Sequence, residues 1–248
     1  KAKLSAIKAS LTDAQTQSIL DRSTALEARQ NAEDDPSLLP KVGKEDVPAT
    51  LTEPTAETST VAGVGEISFY GQGTNGLAYQ QVVYSLPALS PDLIEILPLY
   101  TTCITELGVG SRSYAETQAW QASICGGLNC FSSIKSAQDD EQKVQATLTF
   151  SSKCLTANYD QLSALLAETI AEVRFDEEQR IAELVDQITT RKLSSITGSG
   201  HSLAMSAASS GLSPTAQMHH RYAGLEGLGR LKTLREALRE PAERQALL

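Results

Sequence analysis

The chain has only three histidines in 248 residues, and two of them, His219 and His220, are neighbours. Adjacent residues on a helix point about 100° apart, so this pair cannot face one metal and reads as a solvated surface pair. Cysteine is also sparse, with four at 103, 125, 130 and 154. They show no paired C-x-x-C spacing for structural zinc and no dense disulfide framework, so they read as buried free thiols in a reducing compartment. No stretch approaches the roughly 20 apolar residues of a membrane span, and no basic start leads into an apolar run. A membrane partner is therefore not expected. Lys1 rather than Met stands first, and the chain is expected to be a piece of a longer polypeptide. Positive charge is short as well: 21 Lys and Arg against 30 Asp and Glu leave a net charge of −9. That excludes nucleic acid as a partner, whose phosphates need a basic surface. The acidic balance would suit basic peptides or simply solubility. Gly73-Thr74-Asn75-Gly76 has neither the strand-to-helix setting nor the Lys of a phosphate loop, which excludes nucleotide binding.

What is there is an ordinary globular composition, 41% apolar and 21% charged, on a chain long enough to bury a substantial core. Residues 1–34 predict a helical arm with a narrow apolar stripe of Leu4, Ile7, Leu11, Ile19, Leu20 and Leu26, capped at Thr12 or Asp13. Residues 35–54, with four Pro and six charges, read as an extended linker. Residues 55–224 read as a domain. Alternating strands at 65–71 and 77–86 are expected to form a hairpin turned at Thr74-Asn75-Gly76. A helix opened by Ser90-Pro91-Asp92 carries Leu93, Ile94, Leu97, Tyr100, Ile104 and Leu107 on its apolar face. A second helix spans 113–125, strands follow at 128–136 and 143–154, and helices at 156–172 and 175–193, the last opened by Asp176. Further helices run around 201–209, with Ser199 as a candidate N-cap, and from Ser213-Pro214. Residues 225–248 are helical by pattern and read as a lead into a following domain. Strand pairs alternating with helix pairs predict an α+β fold, a mostly antiparallel sheet with helices packed on one face. Tyr70, Tyr79, Tyr84, Phe69 and Trp120 fall where core packing is the simpler role.

Residues 99–130 carry the sharpest pattern. An inverted zinc motif, H-x-x-E-H, places two His one helical turn apart around a Glu that polarises the metal-bound water. The matching five positions here are Cys103, Ile104, Thr105, Glu106 and Leu107: the Glu is kept and both His are gone. A turn with Gly108, Gly110 and Ser111 follows, then the S-x-x-E cap of Ser113 and Glu116, a helix, and a strand after Gly126-Gly127. Glu106 has two readings, a general base or a degenerate position bonded to its neighbours. Cys103 as a nucleophile would need a nearby base to make its thiolate, and no His lies close in sequence.

Together with Gly73-Thr74-Asn75-Gly76-Leu77-Ala78-Tyr79, Ser151-Ser152-Lys153-Cys154-Leu155, Arg174-Phe175-Asp176-Glu177-Glu178 and residues 198–206 (GSGHSLAMS), this pattern resembles the presequence-protease branch of the pitrilysin and insulinase zinc metallopeptidases. The resemblance runs with gaps from about residue 11 to 238. It implies a pitrilysin or mitochondrial-processing-peptidase-like domain that opens the non-catalytic second half of such an enzyme, preceded by the end of the helical hairpin joining the halves. It further implies no catalytic residue and no metal ligand in this chain, with Cys103, Glu106 and Leu107 as degenerate zinc-motif positions. A third ligand would come from a later helix, where Glu183, Asp186 and Gln187 stand here. Zinc would belong to the parent enzyme, whose catalytic half and an unfolded peptide substrate are the implied partners, in a bacterial cytoplasm or an organelle matrix. His201 is the one candidate for a chamber-facing residue, against a purely local first-turn role. Two other classes stay open: a stand-alone inactive homologue serving as a binding or assembly module, and an independent Cys hydrolase.

Overall fold

The computed structural model describes residues 2–50, 52–240, 242 and 244. They divide into two compact units, Lys1–Gln72 and Gly73–Leu248. The first unit holds helices α1 (Ala2–Ala9) and α2 (Asp13–Gln30), and a hairpin of β1 (Glu57–Val61) and β2 (Gly65–Phe69). Thr12 and Gln15 close a reciprocal capping box at the start of α2, which satisfies two otherwise orphaned backbone donors. No residue of α2 is buried. Among the described residues between helix and hairpin the chain makes two single turns of 3-10 helix, Pro36–Leu38 and Lys44–Asp46.

Here the structure corrects a pairing. The strand at 65–69 pairs with β1, a strand the alternation pattern does not mark, and not with the strand after Asn75. The reason is local: Val64 N–H closes onto Val61 O at 3.1 Å, and Gly63 takes φ +79°, so a tight turn forms before β2. Asn75 and Gly76 do adopt positive φ, 52° and 79°, but their turn leads the chain into β3 (Leu77–Ser85). The hairpin thus groups with the first unit, although its residues lie beyond 54.

In the second unit β3, β4 (Cys125–Ser136) and β5 (Val144–Leu155) form an antiparallel sheet in the order β3-β5-β4. Leu148, Phe150, Ser152 and Cys154, at alternate positions of β5, are buried. They pack on Leu162, Leu165 and Leu166 of α5 (Tyr159–Glu172) and on Ile124 at the end of α4 (Tyr114–Ile124). Tyr79, Val83 and Phe131, at odd positions, stay exposed on the other face. The α+β fold follows from this two-layer arrangement. Each of these fully buried Leu side chains is worth about 1.5–3 kcal/mol in apolar burial.

A second cluster lies among the helices. α6 (Glu178–Ser195) presents Ile181, Leu184 and Val185, three and four residues apart from the first and so on one face, to Cys103, Leu107 and Leu238. α3 (Pro91–Cys103), α7 (Gly200–Ser209), α8 (Pro214–Ala223) and α9 (Leu225–Ala237) complete the unit. Leu231 and Leu238 are buried, so the helical stretch after residue 224 is part of this unit's core as far as it is described. Three local expectations shift. α3 ends at Cys103, so Ile104 to Leu107 leave the helix, and Leu93 and Tyr100 are exposed on it. α6 begins at Glu178 because Asp176 is engaged by Arg174, two residues before it, at 3.0 Å. Ser199 makes no side-chain cap; a 3-10 turn, Thr197–Ser199, runs straight into α7.

Candidate functional site: the turn after α3

Leaving the helix at Cys103 places the motif positions in three different environments. Cys103 is buried, with 4% of its surface exposed, and burial pushes its thiol up to about 11, against a smaller downward pull from Arg180. At neutral pH such a thiol is almost wholly protonated and is a poor nucleophile and metal ligand. Leu107 is fully buried against Ile181 and Val185. A side chain here points into the core, where a ligating group could not meet a hydrated metal.

Glu106 is half-buried and turned toward α4 and α6. Its Oε2 accepts from Arg180 Nη2 at 2.7 Å and from Gln118 Nε2 at 2.6 Å. Arg180 is the more buried partner, and its guanidinium also lies over the Tyr114 ring at 4.6 Å. The carboxylate is therefore paired with a guanidinium that also rests on an aromatic ring. A general base needs an acidified water in that place. Glu106 is thus a cross-link between the turn, α4 and α6.

The turn itself is stitched at both ends by Glu177. Its Oε2 accepts the Gly108 N–H at 2.6 Å and its Oε1 the Tyr114 N–H at 2.9 Å. Between these, Thr117 Oγ1 accepts the Val109 N–H, and an isolated antiparallel bridge joins Val109 to Val173. Gly110 N–H reaches Glu172 O at 2.9 Å, and Arg174 N–H reaches Gly108 O at 2.8 Å. Glycine is needed at both places. A Cβ on Gly108 would stand 2.4 Å from Arg112 O, and Gly110 has φ +59° with Glu172 Oε2 2.9 Å from where its Cβ would be. The capping box of Ser113 and Glu116 then starts α4 as its S-x-x-E spacing predicts.

The residues present do not fit zinc. Two ligand positions are a buried protonated thiol and a core leucine, and the carboxylate between them is taken by Arg180. Of the candidate third ligands on α6, Asp186 is held by Arg235 at 2.6 Å, Glu183 accepts from Gln179, and Gln187 is exposed. Among the described residues no group of three His, Cys, Asp or Glu side chains converges. His201 lies on the first turn of α7, exposed. The other two histidines do not match the solvated surface pair expected of them. His219 is exposed and meets Ser206 Oγ at 3.3 Å and the Tyr222 ring, while His220 is only half-exposed, with its Nδ1 buried beside Gly224. Sequence patterns missed Glu177, Arg180 and Gln118 as the groups that fix the turn; only the Arg174-Phe175-Asp176-Glu177-Glu178 segment marked the neighbourhood.

A model of the family described as peptidase M-16C associated matches residues 1–234. The chain is 27% identical over 219 residues to the mitochondrial presequence protease of Danio rerio, which covers 88% of this chain and 21% of that protein. It is 29% identical over 229 residues to the mitochondrial presequence protease of Mus musculus, covering 92% and 22%. With presequence protease 1, chloroplastic/mitochondrial, of Arabidopsis thaliana it shares 24% identity over 243 residues, covering 97% and 22%. The chain thus spans about a fifth of the length of these relatives.

Proposed function

Since this chain belongs to the peptidase M-16C associated family, we propose that it is a non-catalytic part of a zinc metalloendopeptidase that degrades short, unfolded, presequence-like peptides. The observation that carries the reading is the turn after α3: the positions matching a zinc motif are built into a structural knot, with Glu106 on Arg180 and Leu107 in the core. A half that keeps the outline of the active-site helix but spends its residues on packing serves as a wall and not as a reaction centre. Zinc, its ligands and the general base belong, in this reading, to the catalytic half of the same polypeptide. The chain forms the chamber wall opposite the zinc, and residues 1–34, an arm with no buried residue in α2, form part of the hinge about which the halves close. Residues 35–54 are the linker, and the α+β domain takes α9 with it. His201, exposed at the start of α7, is in this reading the candidate for a chamber-facing residue, against a purely local first-turn role. The relatives' names place them in mitochondria or chloroplasts, which supports an organelle matrix over a bacterial cytoplasm. Among the described residues no helix is long and apolar enough to cross a membrane.

Hydrolysis of a fluorogenic unstructured peptide tests this. The 248-residue chain alone is expected to be inactive, and a polypeptide carrying it behind an H-x-x-E-H half to be active. Hydrolysis by the isolated chain that survives chelation and depends on Cys103 would replace the reading with a thiol hydrolase. A natural gene with no H-x-x-E-H half would replace it with a stand-alone binding module.

A further inference from the structure

Between α3, α6, α8 and α9 lies a cavity of about 200 Å³ that the turn after α3 does not share. Its walls are mostly apolar, with Ile96, Leu99, Ile188, Leu231 and Leu234 among them. Its charged groups are unequally paired. Glu95 accepts from Arg221 Nη2 at 2.7 Å and is also paired with Arg230, which a second acid, Glu226, holds as well. Lys192, in the last turn of α6, also lines the cavity and pairs with no carboxylate among the described residues. Burial alone holds its ammonium below the usual lysine range. Tyr222, on the same wall, is a phenol at neutral pH, and burial pushes its hydroxyl further above the usual range, so it stands as a hydroxyl donor.

We propose that this cavity binds a carboxylate carried on a small apolar group, with Lys192 as its cationic anchor. A half-buried ammonium without a counter-charge is costly, and an incoming carboxylate offsets that cost while its apolar group covers the leucine and isoleucine walls. Size and charge define the class. Sites for drug-sized molecules run to about 300–1,000 Å³, so this one takes a single residue-sized group and not an extended peptide. The two arginines are already committed to Glu95 and Glu226, which leaves Lys192 as the unpaired cation of the cavity among the described residues. That suits a monoanion and leaves a phosphate dianion undercompensated. The chemistry is shared by the C-terminal residue of a peptide and by a free aliphatic carboxylate. The inference stands on the cavity itself and does not rest on the peptidase reading.

The test is NMR titration of the 248-residue chain with N-acetyl-Ala-Leu as the free acid, with its C-terminal amide, and with octanoate. The acid is expected to shift amide signals in the last turns of α6 and in α8 and α9, and to bind roughly tenfold or more tightly than the amide, as loss of a charged hydrogen bond implies. Lys192→Met is expected to abolish that preference and Lys192→Arg to keep it. Ile96→Trp, at the half-exposed rim, should block binding by filling the mouth, and it serves if Lys192→Met does not fold. Octanoate displacing the acid assigns the site to free aliphatic carboxylates as well; octanoate without effect assigns it to peptide C-termini. Equal binding of acid and amide, no binding at millimolar ligand, shifts mapping elsewhere, or a preference that survives Lys192→Met overturns the proposal.

Discussion

Replacing Glu106 by glutamine separates the structural role of this side chain from a chemical one. Gln keeps the shape and can still accept from Gln118, but it leaves Arg180, only 13% exposed, without its closest anion; Glu183 stands at 3.9 Å. Removing one partner of a fully buried pair costs about 3–5 kcal/mol. Glu106 is 39% exposed, so water screens part of the loss, and the range for a charge-assisted hydrogen bond, about 1.5–3 kcal/mol, is the better guide. Glu106→Gln should therefore lie near its lower end, about 1.5 kcal/mol, and Glu106→Ala, which also abandons Gln118, near the upper. For a unit of this size the smaller value lowers Tm by about 3–6 °C. Thermal melts by circular dichroism, with Arg180→Met and the double variant, should give a coupling energy of about 1 kcal/mol or more. In a full-length peptidase carrying this chain, Glu106→Gln should leave kcat/KM within a few-fold, whereas loss of a general base costs about 10²–10⁴. Coupling near zero would refute the cross-link, and a hundred-fold fall in kcat/KM at unchanged Tm would show that Glu106 does chemistry.

The other expectations are direct. With its thiol raised to about 11, Cys103 carries about a hundredfold less thiolate than an ordinary cysteine at about pH 7.5, so iodoacetamide mapped by mass spectrometry should modify the more accessible Cys125 first and Cys103 only on unfolding; early labelling of Cys103 would contradict its burial. After dialysis against micromolar Zn²⁺, elemental analysis should find no stoichiometric zinc; one ion per chain, lost in Cys103→Ala, would restore a metal site to the turn. Deleting residues 1–34 should leave the melt of the sheet-containing unit cooperative and unmoved, since no residue of α2 is buried, and a lost transition would make the arm part of a core.

Much of the fold was readable because it is written in short-range chemistry. Ser113 and Glu116 announce the start of α4 three residues apart, and the one-turn spacing of Ile181, Leu184 and Val185 marks the buried side of α6. Alternation located β3, β4 and β5, and the pattern in residues 99–130 singled out the turn after α3. Partners were not readable. Alternation in β2 is compatible with either neighbour, and a turn at Gly63 decided for β1. The ties on Glu106 and on the Gly108 N–H come from Arg180 and Glu177, 74 and 69 residues away, where local patterns carry no information. Helix periodicity ran through Leu107 because the residue is apolar and buried, although the helix had already ended at Cys103.

The single carboxylate of Glu177 holds the Gly108 and Tyr114 amides at once, and the neighbouring bridge holds Gly110 and Arg174. The Gly108 and Tyr114 amides are released together when Glu177 lets go, because one carboxylate holds both sides of the turn. Native-state hydrogen exchange would then see these amides as one cooperative opening unit with a common free energy, where an unanchored surface loop would give a spread of fast, independent rates. Glu177 would set the frequency of that opening, so a change there would move the Gly108 and Tyr114 exchange rates together while leaving the amides of β5, across the sheet core, at their own slower pace.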